Sequence, residues 1–462
     1  MKTPLNGALR SFADQDRVRL HMPGHKGRGF AGARLDVTEL SGTDNLHHPT
    51  GAIAESQREL ARVYGSKAAH ILVGGTTSGL VAAILAGAGE GDAVIVPSNS
   101  HRSVLTALTL GRIRGVFIDP VPDATLGFPR AVTSEQVAQA LSAHPDCRGM
   151  VLTTPTYYGT VSDTRAIAER LHRAGKWLIV DEAHGAHLAF DKEYPTDAVA
   201  AGADVVVQST HKMLGALTQG SLLHRCSDRI DGARLSVWLA MLQSSSPNYG
   251  LMRSVERAVA EAADRGAAVF GAIARAHRAA ARASRATDNL FLYAPAGSYD
   301  ASKWLYGVRD GSGMAVGRRL REQGIYCELE TPRWLLALTG IGTTAEDLGQ
   351  LIRAVAESNR RVGQPAEKSD AKPVLPAGRF NQAWPLWRAF GAAKRRVPLA
   401  RAGGMISGEM LVPYPPGVPV VLPGDRLTAP LIAYVQAQLA AGITVMGVDA
   451  RDGVTVVDAE AQ

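Results

Sequence analysis

An α/β fold built on a mostly parallel central sheet is what this sequence predicts, and two observations predict it. From about residue 55 to 225, short β-branched apolar runs alternate with helical stretches, and each run ends in small or polar residues. The runs carry no polar alternation, as expected of strands buried on both faces by flanking helices. They are Val94-Ile95-Val96, Val116-Phe117-Ile118, Met150-Val151-Leu152, Trp177 to Val180, Val205-Val206-Val207 and Ser221-Leu222-Leu223. Amphipathic segments such as Ser134 to Ala143 and Thr164 to Ala174 lie between them. In such a sheet, ligands gather at the carboxyl ends of the strands.

A chain of 462 residues, 46% apolar, exceeds one simple core, so a large domain with smaller companions is expected. An N-terminal segment (1–54) leads into a large domain (55–285), whose Ala/Arg-rich end from Arg253 to Arg285 has helical composition. A small α/β domain (286–360) follows. The proline-bearing stretch 361–376 reads as a linker before a C-terminal domain (377–462). The net charge of +7 is scattered rather than gathered on one face, which disfavours nucleic acid. Three widely spaced cysteines, Cys147, Cys226 and Cys327, argue against a disulfide framework and a zinc site; no metal is expected. Without a signal-like leader or a membrane-length apolar run, the expectation is a soluble cytoplasmic protein.

The chemistry sits at the strand exits. Ser209-Thr210-His211-Lys212 follows the strand ending at Gln208, and a lysine partly desolvated there suits an amine that must form a Schiff base. Asp181 ends the strand Trp177 to Val180; a buried carboxylate needs a cationic partner, and a protonated pyridine nitrogen would be one. Gly74-Gly75-Thr76-Thr77-Ser78-Gly79 precedes an apolar helical run and offers backbone N–H groups and hydroxyls to an anion at a helix N-terminus. It lacks the lysine of a P-loop and the spacing of a dinucleotide fingerprint, so it reads as a phosphate cup of another kind. His101, in SNSHRS, is placed to lie flat on an aromatic cofactor. Singly, these are equally a surface lysine, a helix-capping aspartate, an ordinary helix start and a loop histidine. Their order along the chain, each at a strand exit, is what unites them.

Those residues resemble the fold-type-I, pyridoxal-phosphate (PLP)-dependent ornithine/lysine/arginine decarboxylases, in their short bacterial form. The matching strings are HMPGHKG (21–27), TDNLHHPTGAI (43–53), the Gly-Thr-Thr-Ser loop, SNSHRSV, TTPTYYGTVSD (153–163), DEAHGAH, STHKMLGALTQGS, LQSSSPNY and PYPPGVPVVLPGD. The resemblance implies the aspartate-aminotransferase fold and decarboxylation of arginine, lysine or ornithine to agmatine, cadaverine or putrescine. It also implies Lys212 as the Schiff-base lysine, Asp181 on the pyridine nitrogen, His101 stacked on the ring, Ala183 on its other face and His184 near the ring hydroxyl. Thr76, Thr77 and Ser78, with Ser209 and His211, would hold the phosphate. Ser245 or Ser246 would reach a neighbouring subunit, which requires at least a homodimer with shared active sites, a dimer of dimers being the larger alternative. Glu328 is the candidate for the distal cation of the substrate, with Asp44 and Glu409 as lesser ones and Thr156 and Tyr157 on the substrate side. The chain departs from the family where an acidic residue is often found in place of His48, and an Asn in place of Gly74 or Leu80. With HMPGHKG starting at residue 21, the extra N-terminal wing domain of larger members is not expected. The alternative keeps the fold and changes the reaction to that of an aminotransferase, aldolase or lyase, with Arg333 available to grip an α-carboxylate.

Overall fold

The computed structural model describes residues 1–15, 18–284, 289–309, 311–361, 376, 380, 382–414 and 418–458. The N-terminal helix α1 (Pro4–Asp14) and α2 (Ala52–Tyr64) lead into a seven-stranded sheet. Its elements, in chain order, are β1 (Ala68–Leu72), α3 (Gly75–Gly87), β2 (Ala93–Pro97), α4 (Arg102–Leu110), β3 (Arg114–Ile118), α5 (Ser134–Ala143), β4 (Gly149–Thr153), α6 (Thr164–Arg173), β5 (Trp177–Asp181), β6 (Val205–Gln208), α7 (Thr210–Met213), β7 (Ser221–Arg225) and α8 (Gly232–Leu242). All six predicted strands are present. The first strand, Ala-Ala-His-Ile-Leu, was not predicted, because it has one β-branched residue and a histidine at its centre.

The strand order is β1-β7-β6-β5-β4-β2-β3. The run β6-β5-β4-β2-β3 is parallel, whereas β7 is antiparallel to both its neighbours. β1 therefore points the same way as the parallel strands, and the start of β7 lies at their carboxyl edge. Alternate residues along each strand feed opposite faces. Val94, Val96, Val151, Ile179 and Val207 pack with α3, α4 and α8, while Ile95, Met150, Leu152, Val180 and Val206 pack with α5 and α6. α3 presses so closely on the sheet that a Cβ at Gly79 would stand 2.5 Å from Leu72 and 2.8 Å from Val207.

The 36-residue α9 (Tyr249–Ser284) carries the chain out of this domain. The small domain holds β8 (Leu290–Leu292), β9 (Lys303–Val308), α10 (Gly313–Glu322), β10 (Leu329–Glu330), β11 (Trp334–Leu338) and α11 (Ala345–Arg361). Its sheet, in the order β10-β11-β9-β8, is antiparallel throughout, and α10 packs on β11. The predicted linker lies outside the described residues apart from its ends. The C-terminal part has α12 (Leu386–Gly391), β12 (Lys394–Pro398), β13 (Val412–Tyr414), α13 (Ala429–Ala440), β14 (Thr444–Met446) and β15 (Gly453–Val457) around its own apolar core. It docks on α4 of the large domain, with Phe380 edge-on to Phe117 at 5.0 Å between centroids. Among the described residues, no helix is long and apolar enough to cross a membrane.

Candidate active site

Because the parallel strands share one carboxyl edge, the topology alone collects the residues singled out above. Asp181 is the last residue of β5, the Lys212 turn α7 follows β6, His101 caps α4 after β2, and the Thr156-Tyr157 turn follows β4. The glycine-hydroxyl loop follows β1 and opens α3. Gly75 there has φ +69°, a left-handed conformation that glycine adopts without strain.

The loop read as a phosphate cup carries a hydroxyl cluster. Thr76 Oγ1 is hydrogen-bonded to Ser209 Oγ, and lies 3.1 Å from Ser221 Oγ. Ser221, the first residue of β7, was missed in the sequence, where it reads only as the start of an apolar strand. Ser78 is buried and donates to the Gly75 carbonyl at 3.0 Å, whereas Thr77 is exposed. His211 Nδ1 lies 3.0 Å from the Gly220 carbonyl, on the same wall.

Asp181 is buried, at 3% exposure, and accepts the Ala183 N–H at 3.2 Å. Its second oxygen has no hydrogen bond among the described residues. Burial pushes its carboxyl above the ordinary value, against the opposing pull of the His101 and Lys212 charges. Lys212 opens onto the cleft with Nζ 3.2 Å from His184 Nε2. The protein packed around it lowers its amine below the ordinary lysine range, while Asp181 and Glu328 act the other way. His184 is buried and held well below the usual histidine value, first by burial and then by the charges of Lys212, Lys303, His187 and His101; its Nδ1 has no partner among the described residues. His101 is exposed in the single chain, its Nδ1 fixed by the Ser103 side chain at 2.8 Å and backbone at 3.2 Å.

These features fit pyridoxal phosphate: hydroxyls converging at a helix N-terminus, a buried carboxylate with a free oxygen, and an imidazole nitrogen without a partner. A cleft of about 500 Å³ flanks Lys212 on the small-domain side, lined by Met213, Tyr326 and Gly340 among others. It takes in neither Asp181 nor His101, so it adjoins the cofactor position rather than forming it.

Of the residues expected on the substrate side, Tyr157 donates to Glu328 and stands edge-on to His184 at 4.9 Å. Thr156 is buried, its hydroxyl 2.8 Å from that of Thr160, and so shapes the turn that presents Tyr157. Two weaker candidates are engaged elsewhere. Asp44 accepts five backbone N–H groups, from Asn45, Thr50, Gly51, Ile53 and Ala54, and organises the start of α2. Glu409 accepts the Thr455 N–H at 3.1 Å and pairs with Arg396 at 3.5 Å within the C-terminal part. Arg333 donates to the Thr125 carbonyl. Ser245 and Ser246 are exposed on the loop after α8.

Fold and site together define a PLP-dependent enzyme of fold type I. The model of the Orn/Lys/Arg decarboxylase major domain matches residues 3–294, and that of the family's C-terminal domain matches 387–451. An arginine decarboxylase of Bacillus subtilis is 31% identical over 468 residues, spanning 96% of this chain and 95% of its own. The constitutive lysine decarboxylase of Escherichia coli is 24% identical over 544 residues, spanning 92% of this chain and 75% of its own. A solved structure of the Escherichia coli constitutive lysine decarboxylase has a TM-score of 0.83 at 20% identity, covering 99% of this chain and 82% of that one. The chain belongs to the Orn/Lys/Arg decarboxylase family.

Proposed function

We propose that this protein is a PLP-dependent decarboxylase of basic L-amino acids whose substrate is arginine, releasing CO₂ and agmatine. One observation carries the proposal: Asp181 and Lys212 stand at the exits of adjacent strands, beside a hydroxyl-lined helix N-terminus, within electrostatic reach of each other. Of the two named relatives, the arginine decarboxylase is nearer in sequence and in length.

Bound here, the cofactor supplies electron withdrawal at the substrate Cα. The chain's residues do the rest. Thr76, Ser209 and Ser221, with Thr77, Ser78, His211 and the N-terminus of α3, hold the phosphate dianion by hydrogen bonds and helix partial charge. Asp181 would pair with the pyridine nitrogen and favour its protonated form, with His101 and Ala183 the residues that would flank the ring and His184 the one near its hydroxyl. Lys212 would hold the cofactor through its Nζ, and the same amine, once free, would be placed to move a proton at the substrate Cα. Orientation of the Cα–carboxylate bond across the ring decides that this bond breaks. Glu328, steadied by Tyr157 on the Thr156 turn, receives the distal cation, and a guanidinium gives a planar donor fork to that carboxylate. Ser245 and Ser246, with the exposed Val237 and Met241 of α8 nearby, serve a second copy of the chain, making the functional unit at least a dimer.

The test is incubation of the PLP-loaded protein separately with L-arginine, L-lysine and L-ornithine, with identification of the amine. Agmatine formed fastest, without a keto-acid acceptor, is the expected result; turnover only with such an acceptor refutes decarboxylation, and faster cadaverine formation refutes arginine. Lys212→Ala is expected to abolish both turnover and the visible band of the lysine-linked cofactor.

A further inference from the structure

Behind Lys212 lies an ionic cluster that the decarboxylation chemistry leaves unused. Asp300, Ser302 and Lys303, just before and at the start of β9, are all 0% exposed, as is His187 from the loop after β5. Asp300 Oδ1 lies 3.0 Å from His187 Nε2 and accepts the Ser302 N–H at 3.0 Å; its Oδ2 lies 3.5 Å from Lys303 Nζ. Ser302 Oγ donates to Tyr194 Oη at 3.1 Å. Lys303 Nζ finds its remaining contact on the thioether of Met213, at 3.3 Å, and Met213 is the residue after Lys212. The Met213 carbonyl is held from the small domain as well, by the Ile341 N–H at 3.0 Å.

A buried ammonium paired with a buried carboxylate is a poor way to hold a core together, since apolar side chains of the same volume often do it as well or better. What this pair does that apolar side chains would not is place a charge. We propose that Lys303 is a positioning residue for Lys212: anchored by Asp300 and seated on Met213, it locks the α7 turn to the small domain and sets a fixed positive charge behind Lys212 and His184. The proposal rests on Lys212 being the residue that carries the cofactor.

Lys212 is faced by Asp181 and His184 from the exit of β5, by His101 from the head of α4, by Glu328 ahead of β10 and by Lys303 from β9, with His211 beside it on its own turn. Lys303 is faced by Asp300, Lys212, Glu328 and His184. Asp300 is held below the ordinary carboxylate range, because His187 and Lys303 more than offset its burial. Burial lowers the Lys303 amine, and Asp300 is the buried anion that opposes that shift. A second cation beside a reactive lysine eases its deprotonation, in the same direction as the burial that lowers the Lys212 amine. The same charge adds to the burial and the Lys212 charge that hold His184 well below the usual histidine value.

The experiment uses the holoenzyme and three variants: Lys303→Arg, Lys303→Met, and Lys303→Met combined with Asp300→Asn. The double variant leaves no unpaired buried anion, so it keeps the test alive where the single one fails to fold. The visible band of the lysine-linked cofactor is titrated against pH, alongside kcat and KM. Loss of the cation is expected to raise the titration midpoint by about one pH unit or more, with kcat falling about tenfold and KM little changed; Lys303→Arg retains the wild-type midpoint. A folded double variant with an unchanged midpoint overturns the proposal and leaves Lys303 a structural residue. Absence of the band from the wild-type holoenzyme is a different result, and removes the assignment of Lys212 itself.

Discussion

Replacing Asp181 by Asn isolates charge from shape. Asn has the same size and keeps an oxygen for the Ala183 N–H, which the carboxylate accepts at 3.2 Å. With 3% exposure and no ion pair among the described residues, the Asp181 charge has one strong use, opposite a cofactor cation. Breaking a buried ion pair by neutralising one partner costs about 3–5 kcal/mol. At about 1.4 kcal/mol per decade of rate, kcat/KM for arginine falls between about a hundredfold and several thousandfold. The cofactor-free protein behaves oppositely. Burial already raises the Asp181 pKa, so the ionised form is a burden that Asn removes. Its melting temperature is expected to move by no more than about 2 °C. Initial rates of agmatine release, with melting curves taken with and without PLP, read both effects. A holoenzyme variant within tenfold of wild type refutes the pairing of Asp181 with the ring nitrogen, and a large fall in the melting point of the cofactor-free protein makes Asp181 structural instead.

Glu328→Gln keeps an acceptor for Tyr157 but loses the charge, and because Glu328 is exposed the loss is discounted to about 1 kcal/mol, or about fivefold in KM for arginine, with kcat unchanged; steady-state kinetics in which kcat falls and KM holds would contradict substrate binding there. Asp44→Ala strands five backbone N–H groups and is expected to cost about 2–4 kcal/mol, seen in thermal melts, with Asp44→Asn milder because Asn tolerates the φ of +67° found there. Burial lowers His224 to about 3 and His277 to about 4, so both are neutral in the fold while the unfolded chain takes up protons near pH 6.5. Their contribution to stability is complete above that pH and is lost as pH falls towards 4, about 2 kcal/mol each by pH 5; melting points measured between pH 7.5 and 5 check the sign.

The parts of this site that were legible in the sequence are those fixed by sheet physics. Strands buried on both faces must be apolar throughout, so their ends are sharp; Asp181 stands out as the polar end of β5, and His101 and Lys212 each fall in a short polar run, SNSH and STHK, just past β2 and β6. The cup was half legible. Thr76 and Ser78 sit in a visible glycine-hydroxyl string, but Ser221 joins them only because β7 runs backwards and brings its first residue to the carboxyl edge. Nothing in GSLLHR signals that direction. The substrate carboxylates were harder still. Asp44, Glu328 and Glu409 look alike in sequence, and only the fold shows that two of them are spent on backbone N–H groups. Lys303 was invisible for the opposite reason: in YDASKWLYG its charge reads as solvated, whereas the small domain buries it whole.

That blindness falls on the part of the site that sets Lys212 in place. The turn carrying it has four residues, too few to hold a reactive amine by their own hydrogen bonds. The large domain grips one end, through Thr210 Oγ1 on the Gly220 carbonyl at 2.9 Å and His211 on the same carbonyl. The other end is gripped by the small domain, through Ile341 and Lys303 on Met213. The Lys212 nitrogen is therefore placed by two domains at once, although Asp181, Ala183, His184 and His101 all come from one. A substitution that loosens the small domain, far from the cofactor in sequence, acts on the chemistry through Met213 before it acts on substrate binding, and so appears in kcat ahead of KM.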